Sequence, residues 1–208
     1  MKEVNKVFEF FEVNYKIYRY KDLIVSPHYT RSKFNKLIED EIEKALNDQP
    51  AMIRLKMNSL SDYKMIDKLY EASRAGVKIQ LIVRGICCLI PGVPGLSDNI
   101  EAVSIVDNLL EHSRIYIFGV DEEAKVYISS ADFMTRNIDE RVEVTCPIYD
   151  DAIKTELIDT FKIYWKGNVK VRLHSERLEN RYRRLGEERF KAQDELYKYY
   201  QNKIDVVL

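Results

Sequence analysis

His112 precedes Arg114 by two residues in the run Leu110-Glu111-His112-Ser113-Arg114-Ile115-Tyr116-Ile117-Phe118. A short acidic turn follows, and then Val126-Tyr127-Ile128-Ser129-Ser130-Ala131-Asp132. Alternation along a strand puts His112 and Arg114 on one face. An imidazole and a guanidinium facing the same way suit a phosphoryl group, whose oxygens a guanidinium holds as a fork. Two further cations close apolar runs: Lys56, with Asn58 just after it, and Arg84, with Gly85. Ligands of open α/β sheets gather beyond the carboxyl ends of the strands, so cations there point to an anion. Gly85 would let the backbone approach a ligand closely or turn sharply. The plainer reading is that both side chains lie along apolar surface and reach water. It fits Lys56 better than Arg84. Phosphate chemistry is the first expectation.

These side chains need a scaffold, and the hydrophobic pattern describes alternating strands and helices. Val4, Val7, Phe8 and Phe11 fall at helical spacing with no capping segment ahead, as at the end of a helix whose partner lies upstream. A strand over Lys21–Val25 ends at Ser26-Pro27, where proline cannot continue a ladder. A helix follows from about Arg31, with Phe34, Leu37, Ile38, Ile42, Ala45 and Leu46 on one face. Next come a strand (Met52–Met57), a helix begun by Ser61 or Asp62 and stopped at Gly76, and a strand (Val77–Val83). Helical patterns bracket both strands at the length of parallel crossovers. Gly92-Val93-Pro94-Gly95 marks a loop. Further strands are expected near Ile115–Phe118, Val126–Ile128, Val142–Cys146 and Val169–Leu173, with a helix carrying Ile153, Leu157, Ile158, Phe161 and Trp165. The charged stretch from Ser175 to Leu208 reads as a C-terminal helical tail or a partly disordered one. Within it, basic residues from Arg177 to Lys191 alternate with Glu176, Glu179, Glu187 and Glu188, as in a solvated, ion-paired helix.

Composition narrows the function classes. A chain of 208 residues, 46% hydrophobic, can bury a sizeable core. A formal charge of -1 argues against a nucleic-acid partner bound through bulk positive charge. Cys87 and Cys88 are neighbours without metal-ligand spacing, and three cysteines make no disulfide framework. They read as small buried residues in a reducing compartment. No apolar run is long enough for a bilayer span and no signal peptide opens the sequence. A cytoplasmic location is expected, with peripheral membrane association left open.

Several separated motifs carry a resemblance. Leu55-Lys56-Met57-Asn58-Ser59-Leu60, Leu81-Ile82-Val83-Arg84-Gly85-Ile86-Cys87-Cys88-Leu89 and Pro91-Gly92-Val93-Pro94-Gly95-Leu96-Ser97-Asp98-Asn99-Ile100 resemble the C-terminal region of the large, multidomain bacterial polyphosphate kinases. So do Ser104-Ile105-Val106, Leu110-Glu111-His112-Ser113-Arg114 and Ser129-Ser130-Ala131-Asp132-Phe133-Met134-Thr135-Arg136-Asn137. The order matches from about Val4 to Arg189. No G-x-x-x-x-G-K-[ST] occurs, so the P-loop kinase type is excluded.

That resemblance implies an α/β, phospholipase-D-like mixed sheet flanked by helices, the second of two such domains in the family. Residues 1–20 would be the end of the preceding domain and a linker, 21–174 the domain itself, and 175–208 the tail. It further implies reversible transfer of the terminal phosphate of ATP to polyphosphate. ATP would enter with Mg2+, and no metal-ligand set is expected in this chain. The family's phosphorylated histidine lies in the upstream domain, in a His-x-Lys motif absent here, so the isolated chain is expected to be inactive. The upstream domains are expected partners, within a homo-oligomer. By position, Arg84 and His112 match residues that bind ATP phosphates, and His112 would donate a proton or hydrogen bond during transfer. Glu143 resembles the acid that orients histidine in phospholipase-D-like sites. Lys56, Asn58, Arg114, Ser130, Asp132, Arg136 and Asn137 would touch substrate or support those that do. Asp132 and Asn137 fit turn-capping equally well, and His28 and His174 read as structural or exposed.

Two other classes stand beside this reading. A phospholipase-D-like phosphodiesterase is disfavoured because Arg114 stands where such enzymes need lysine and only one half-site is present. A noncatalytic module that binds nucleotides or polyanions would bind ATP without turnover.

Overall fold

The computed structural model describes residues 2–177, 179–184, 186 and 188–207. Eight strands form one mixed sheet in the order β1-β7-β6-β5-β2-β3-β4-β8. They are β1 (Ile24–Val25), β2 (Met52–Met57), β3 (Lys78–Val83), β4 (Ile100–Ile105), β5 (Arg114–Phe118), β6 (Lys125–Ser129), β7 (Val144–Ile148) and β8 (Val171–Leu173). The β2–β3 and β3–β4 pairs are parallel, and the other pairs are antiparallel. Helices α1 (Lys2–Glu12), α2 (Thr30–Leu46), α3 (Tyr63–Arg74), α4 (Asp151–Lys166) and α5 (Ala192–Val207) complete the fold. It is the expected α/β mixed sheet flanked by helices.

Strand alternation divides the interior into two layers. Odd residues of β2 and β3 (Ile53, Leu55, Met57, Ile79, Leu81, Val83) and even residues of β5 (Tyr116, Phe118) pack under α2 and α3. Ile115, Ile117, Val126 and Val103 face the other way, onto Phe161 and Tyr164 of α4. Each fully buried apolar side chain of this kind contributes roughly 1.5–3 kcal/mol. Helix α3 forms where expected, capped by Asp62, whose Oδ1 accepts from Met65 N at 2.9 Å, and followed by Gly76 at φ +98°.

Four expectations change. Strand β4 escapes the periodicity: Ile100 and Ala102 face one layer and Val103 and Ile105 the other. Burial on both faces erases the apolar–polar alternation that marks a strand. The described residues between 175 and 191 are irregular rather than helical. The segment 181–183 runs beside β8, with Leu173 N donating to Arg181 O at 2.9 Å and Arg183 N to Val171 O at 2.9 Å. Arg183 is buried, its guanidinium 4.6 Å over the Trp165 ring, but most of the described residues around it are exposed and Arg181 pairs with Glu179 at 2.8 Å, so the stretch is largely solvated, though not helical. The helical tail begins at Ala192 and lies on α4. Of the residues read there, Leu178, Leu185, Glu187 and Leu208 lie outside the described residues. At the other end, Val7 and Phe10 face inward, whereas Val4, Phe8 and Phe11 of the expected stripe are exposed. Among the cysteines, Cys88 is exposed and Cys87 and Cys146 are half-buried. Burial pushes the Cys87 thiol up to about 11.

One ion-pair network ties α2 and α3 to the turn after β6. Arg31 grips Asp62 through Nη1 and Nη2 at 2.7 and 2.8 Å and meets Asp139 through Nε at 3.0 Å. Thr135 Oγ1 donates to Asp62 Oδ2 at 2.8 Å. Burial opposes ionisation of Asp62, but donation from Arg31, Met65 N and Thr135 outweighs it and holds the carboxyl at about 2 against an ordinary 3.8. A carboxylate depressed on folding stabilises fully above its unfolded pKa, and the gain disappears as pH falls through the folded value. This one contributes about 2 kcal/mol at neutral pH. Asp62→Asn is therefore expected to unfold at lower urea than the parent at pH 7, with the gap closing between about pH 4 and pH 2. A gap independent of pH would mean that the lost cap alone is measured.

Candidate active site

The carboxyl ends of β2, β3 and β6 and the amino ends of β5 and β7 meet at one edge of the sheet, because Lys56 pairs with Ile115, Arg114 with Ser129 and Ser129 with Thr145. This edge gathers Asn58, Arg84, His112, Arg114 and Asp132. Asp132 is its centre. Ala131 and Phe133 on either side are fully buried, Phe133 against Phe34 and Tyr116, so Asp132 points the opposite way, toward the strand ends. Its Oδ1 accepts from Asn58 N at 2.8 Å, Asn58 Nδ2 at 3.3 Å and Arg114 Nε at 3.1 Å, and its Oδ2 from Arg114 Nη2 at 3.3 Å.

The two arginines have different tasks. Arg114 has its fork on Asp132, and its Nη1 donates to His112 O at 3.0 Å and His112 Nδ1 at 3.2 Å. Of the two roles expected for Arg114, touching substrate or supporting residues that do, these contacts favour the second, since four of its five N–H groups face Asp132 and His112. Arg84 binds Asn58 Oδ1 through Nε at 2.9 Å, and among the described residues nothing accepts from its two terminal nitrogens. They remain a ready pair of parallel donors. Gly85 allows a close approach, though to protein: its N–H donates to Asn58 O at 2.8 Å, and a Cβ there would stand 3.0 Å from that oxygen.

His112 is exposed. A guanidinium can only donate, so Nδ1 facing Arg114 must accept and the proton of the neutral ring sits on Nε2. His112 thus offers an N–H donor from an exposed ring, and Asn58 links it to Arg84, accepting from Arg84 Nε at 2.9 Å and facing His112 O with its Nδ2 at 3.5 Å.

Lys56 does not end in solvent. It lies on the α4 face of β2, is 3% exposed, and holds the underside of the loop that bears His112. Its Nζ reaches Ser113 Oγ at 2.8 Å and Glu111 Oε2 at 3.3 Å, 4.7 Å above the Tyr164 ring. Burial pulls this ammonium below the usual lysine range, Arg84 and Arg114 act in the same direction, and Glu111 opposes them. Burial and then the bond to Glu111 raise the Tyr164 hydroxyl. Glu111 and Ser113 were missed as functional residues, although alternation places them on the face opposite His112, over Lys56. No sequence signal marks Tyr164.

The remaining polar run forms a second group. Glu143 accepts from Ser130 Oγ and Asn137 Nδ2, and Ser130 N donates to Val144 O at 3.0 Å. These bonds fix the turn between β6 and β7. The expected contact between Glu143 and His112 is replaced: Arg114 occupies the Nδ1 side of the ring. Arg136 is exposed in a π-helical turn (Arg136–Glu140), with Met134 Sδ at 3.7 Å. His28 stacks edge-on against Phe10, and His174 is half-buried. Among the described residues, no cluster of three metal-ligating side chains occurs.

The fold is that of a phospholipase-D-like α/β domain, with Asn58, Arg84, His112, Arg114 and Asp132 gathered at the carboxyl edge of its sheet. A phospholipase D family member, Nuc from Salmonella typhimurium, shares the fold at TM-score 0.52 and 14% identity, over 74% of this chain and 96% of that one. Residues 23–193 match the family described as polyphosphate kinase C-terminal domain 2, and the chain belongs to that family. It is 46% identical to the polyphosphate kinase of Yersinia pestis over 198 residues, which is 95% of this chain and 29% of that protein. The crystal structure of polyphosphate kinase from Porphyromonas gingivalis superposes at TM-score 0.91 with 38% identity, over 98% of this chain and 31% of that one.

Proposed function

We propose that this chain supplies one wall of a polyphosphate kinase active site, where the terminal phosphate of ATP passes reversibly to polyphosphate. Arg84 holds phosphate oxygens with its two free terminal nitrogens, and His112 donates from Nε2 to the phosphoryl group in transfer. Arg84, whose terminal nitrogens have no acceptor among the described residues, brings a guanidinium charge to this edge, which favours a polyanion. Phosphoryl transfer depends mainly on such charge stabilisation and alignment. Mg2+ would enter on the phosphates of ATP as part of the substrate. The phosphorylated histidine belongs to an upstream domain, and the exposed Val4, Phe8 and Phe11 stripe would pack against that domain. The observation that carries this reading is that Asn58 ties together an Arg84 fork without an acceptor among the described residues and the backbone of His112, whose Nε2–H is exposed, in a chain whose relatives are polyphosphate kinases.

Arg84→Ala in a full-length polyphosphate kinase carrying this domain tests it. Loss of charge-assisted contacts worth about 1.5–3 kcal/mol lowers kcat/KM by roughly one to two decades. Melting is expected to change little, because Arg84 lies beyond the strand end. The isolated chain, given labelled ATP and magnesium, should form no acid-stable polymer. Unchanged kinetics in the arginine variant would reject the role of Arg84.

A further inference from the structure

We propose that Gln193, at the start of α5, is a positioning residue for His112, so that the C-terminal helix is part of the active-site frame. The inference rests on the reading of His112 given above. Residues 106–113 form no regular structure, and Val106, Leu109 and Leu110 are exposed, so hydrophobic burial does little to hold this loop. Gln193 supplies what burial does not. Its Oε1 accepts from Leu109 N at 3.0 Å, and its Nε2 donates to Leu109 O at 2.9 Å and to Glu111 Oε1 at 2.8 Å. One side-chain amide thus closes both backbone groups of Leu109, as a neighbouring strand would. Through Glu111 it joins the buried Lys56 and Ser113 contacts directly beneath His112.

The clamp is itself anchored. Gln193 is buried, and the adjoining Ala192 lies in the α4 layer with Phe161 and Val171. Helix α5 is fastened to α4 along its length, by Thr160 with Tyr200 at 3.1 Å, Tyr199 with Asp159 at 3.2 Å and Lys203 with Glu156 at 2.8 Å. Rigid helix, buried amide and loop backbone make a continuous path to the histidine. A small displacement of a catalytic group is costly in rate even when its cause is remote.

The test uses Gln193→Ala, Gln193→Glu and His112→Ala in a full-length polyphosphate kinase carrying this domain. Gln193→Glu sets two carboxylates against each other and removes the donor, so it is expected to be the worse of the two. Loss of kcat of about 10–100-fold is expected, with KM for ATP altered far less. In the His112→Ala background, either Gln193 substitution should add little further loss, because it acts through the histidine. Amide exchange at Leu109 should accelerate by at least about tenfold while α4 keeps its protection. Should Gln193→Glu fold poorly, Gln193→Ala with the exchange measurement decides alone. Full multiplicative loss in the double variant, or unchanged kinetics with a loosened loop, would overturn the clamp. A fully active His112→Ala enzyme would instead overturn the functional reading on which it rests.

Discussion

Replacing His112 with alanine in a full-length polyphosphate kinase carrying this domain is expected to lower kcat by about 10²–10⁴-fold, the usual yield of a positioned proton or hydrogen-bond donor. KM for ATP should move much less, since a contact that strengthens only during transfer contributes little to the ground state. The geometry sharpens the expectation. Arg114 fills Nδ1, so only Nε2 is available to substrate. His112→Gln can present an amide N–H in a similar place and should recover part of the loss if hydrogen bonding is what matters. If a proton must move, it should recover almost nothing. The ring is exposed, and its removal should leave the melting temperature near that of the parent. A destabilised variant with kcat intact per folded molecule would make His112 a structural residue.

Asp132→Ala is expected to cost about 3–5 kcal/mol of stability, as when one partner of a buried ion pair is removed. The magnitude follows from what is stranded. The Arg114 side chain is only 13% exposed and would keep its charge without its counter-ion. The buried N–H of Asn58 would lose its acceptor as well. Asp132→Asn, which keeps an oxygen for Asn58 N but not the charge, should cost less. Urea unfolding of the parent and both variants orders them directly. A loss below about 1 kcal/mol would class the pair with surface salt bridges. Activity should fall with stability, because Asn58 orients Arg84 and Arg114 orients His112.

The outlines of this domain are legible in the chain. Apolar spacing at three and four residues marks α2, α3 and α4, and the alternation of β2, β3 and β5 names the layers each would face. The cations at the carboxyl ends of β2 and β3 point to the candidate edge, since parallel strands joined through α3 must end on the same side. Arg84 and His112 stand out for chemistry that their side chains can perform wherever they are brought together. Family resemblance in the ordered motifs adds the proposed reaction.

Side-chain partners are another matter. Nothing in the spacing of Lys56 separates a cation that meets substrate from one sealed beneath a loop. Its burial depends on Tyr164 and Glu111, which reach it from α4 and from the approach to β5. Arg114 and Arg84 look alike as residues at strand ends, yet Asp132 and His112 take most donors of one, and Asn58 leaves the other with two terminal nitrogens that have no acceptor among the described residues. Strand β4 hid for a related reason: periodicity reports a contrast between core and water, and this strand is covered on both faces. Local pattern records which face of an element is apolar, so a sequence by itself determines elements, layers and the edge where ligands gather. Hydrogen-bond saturation and burial arise between residues far apart in the chain, and only the tertiary structure decides which charges are engaged and which remain free to act.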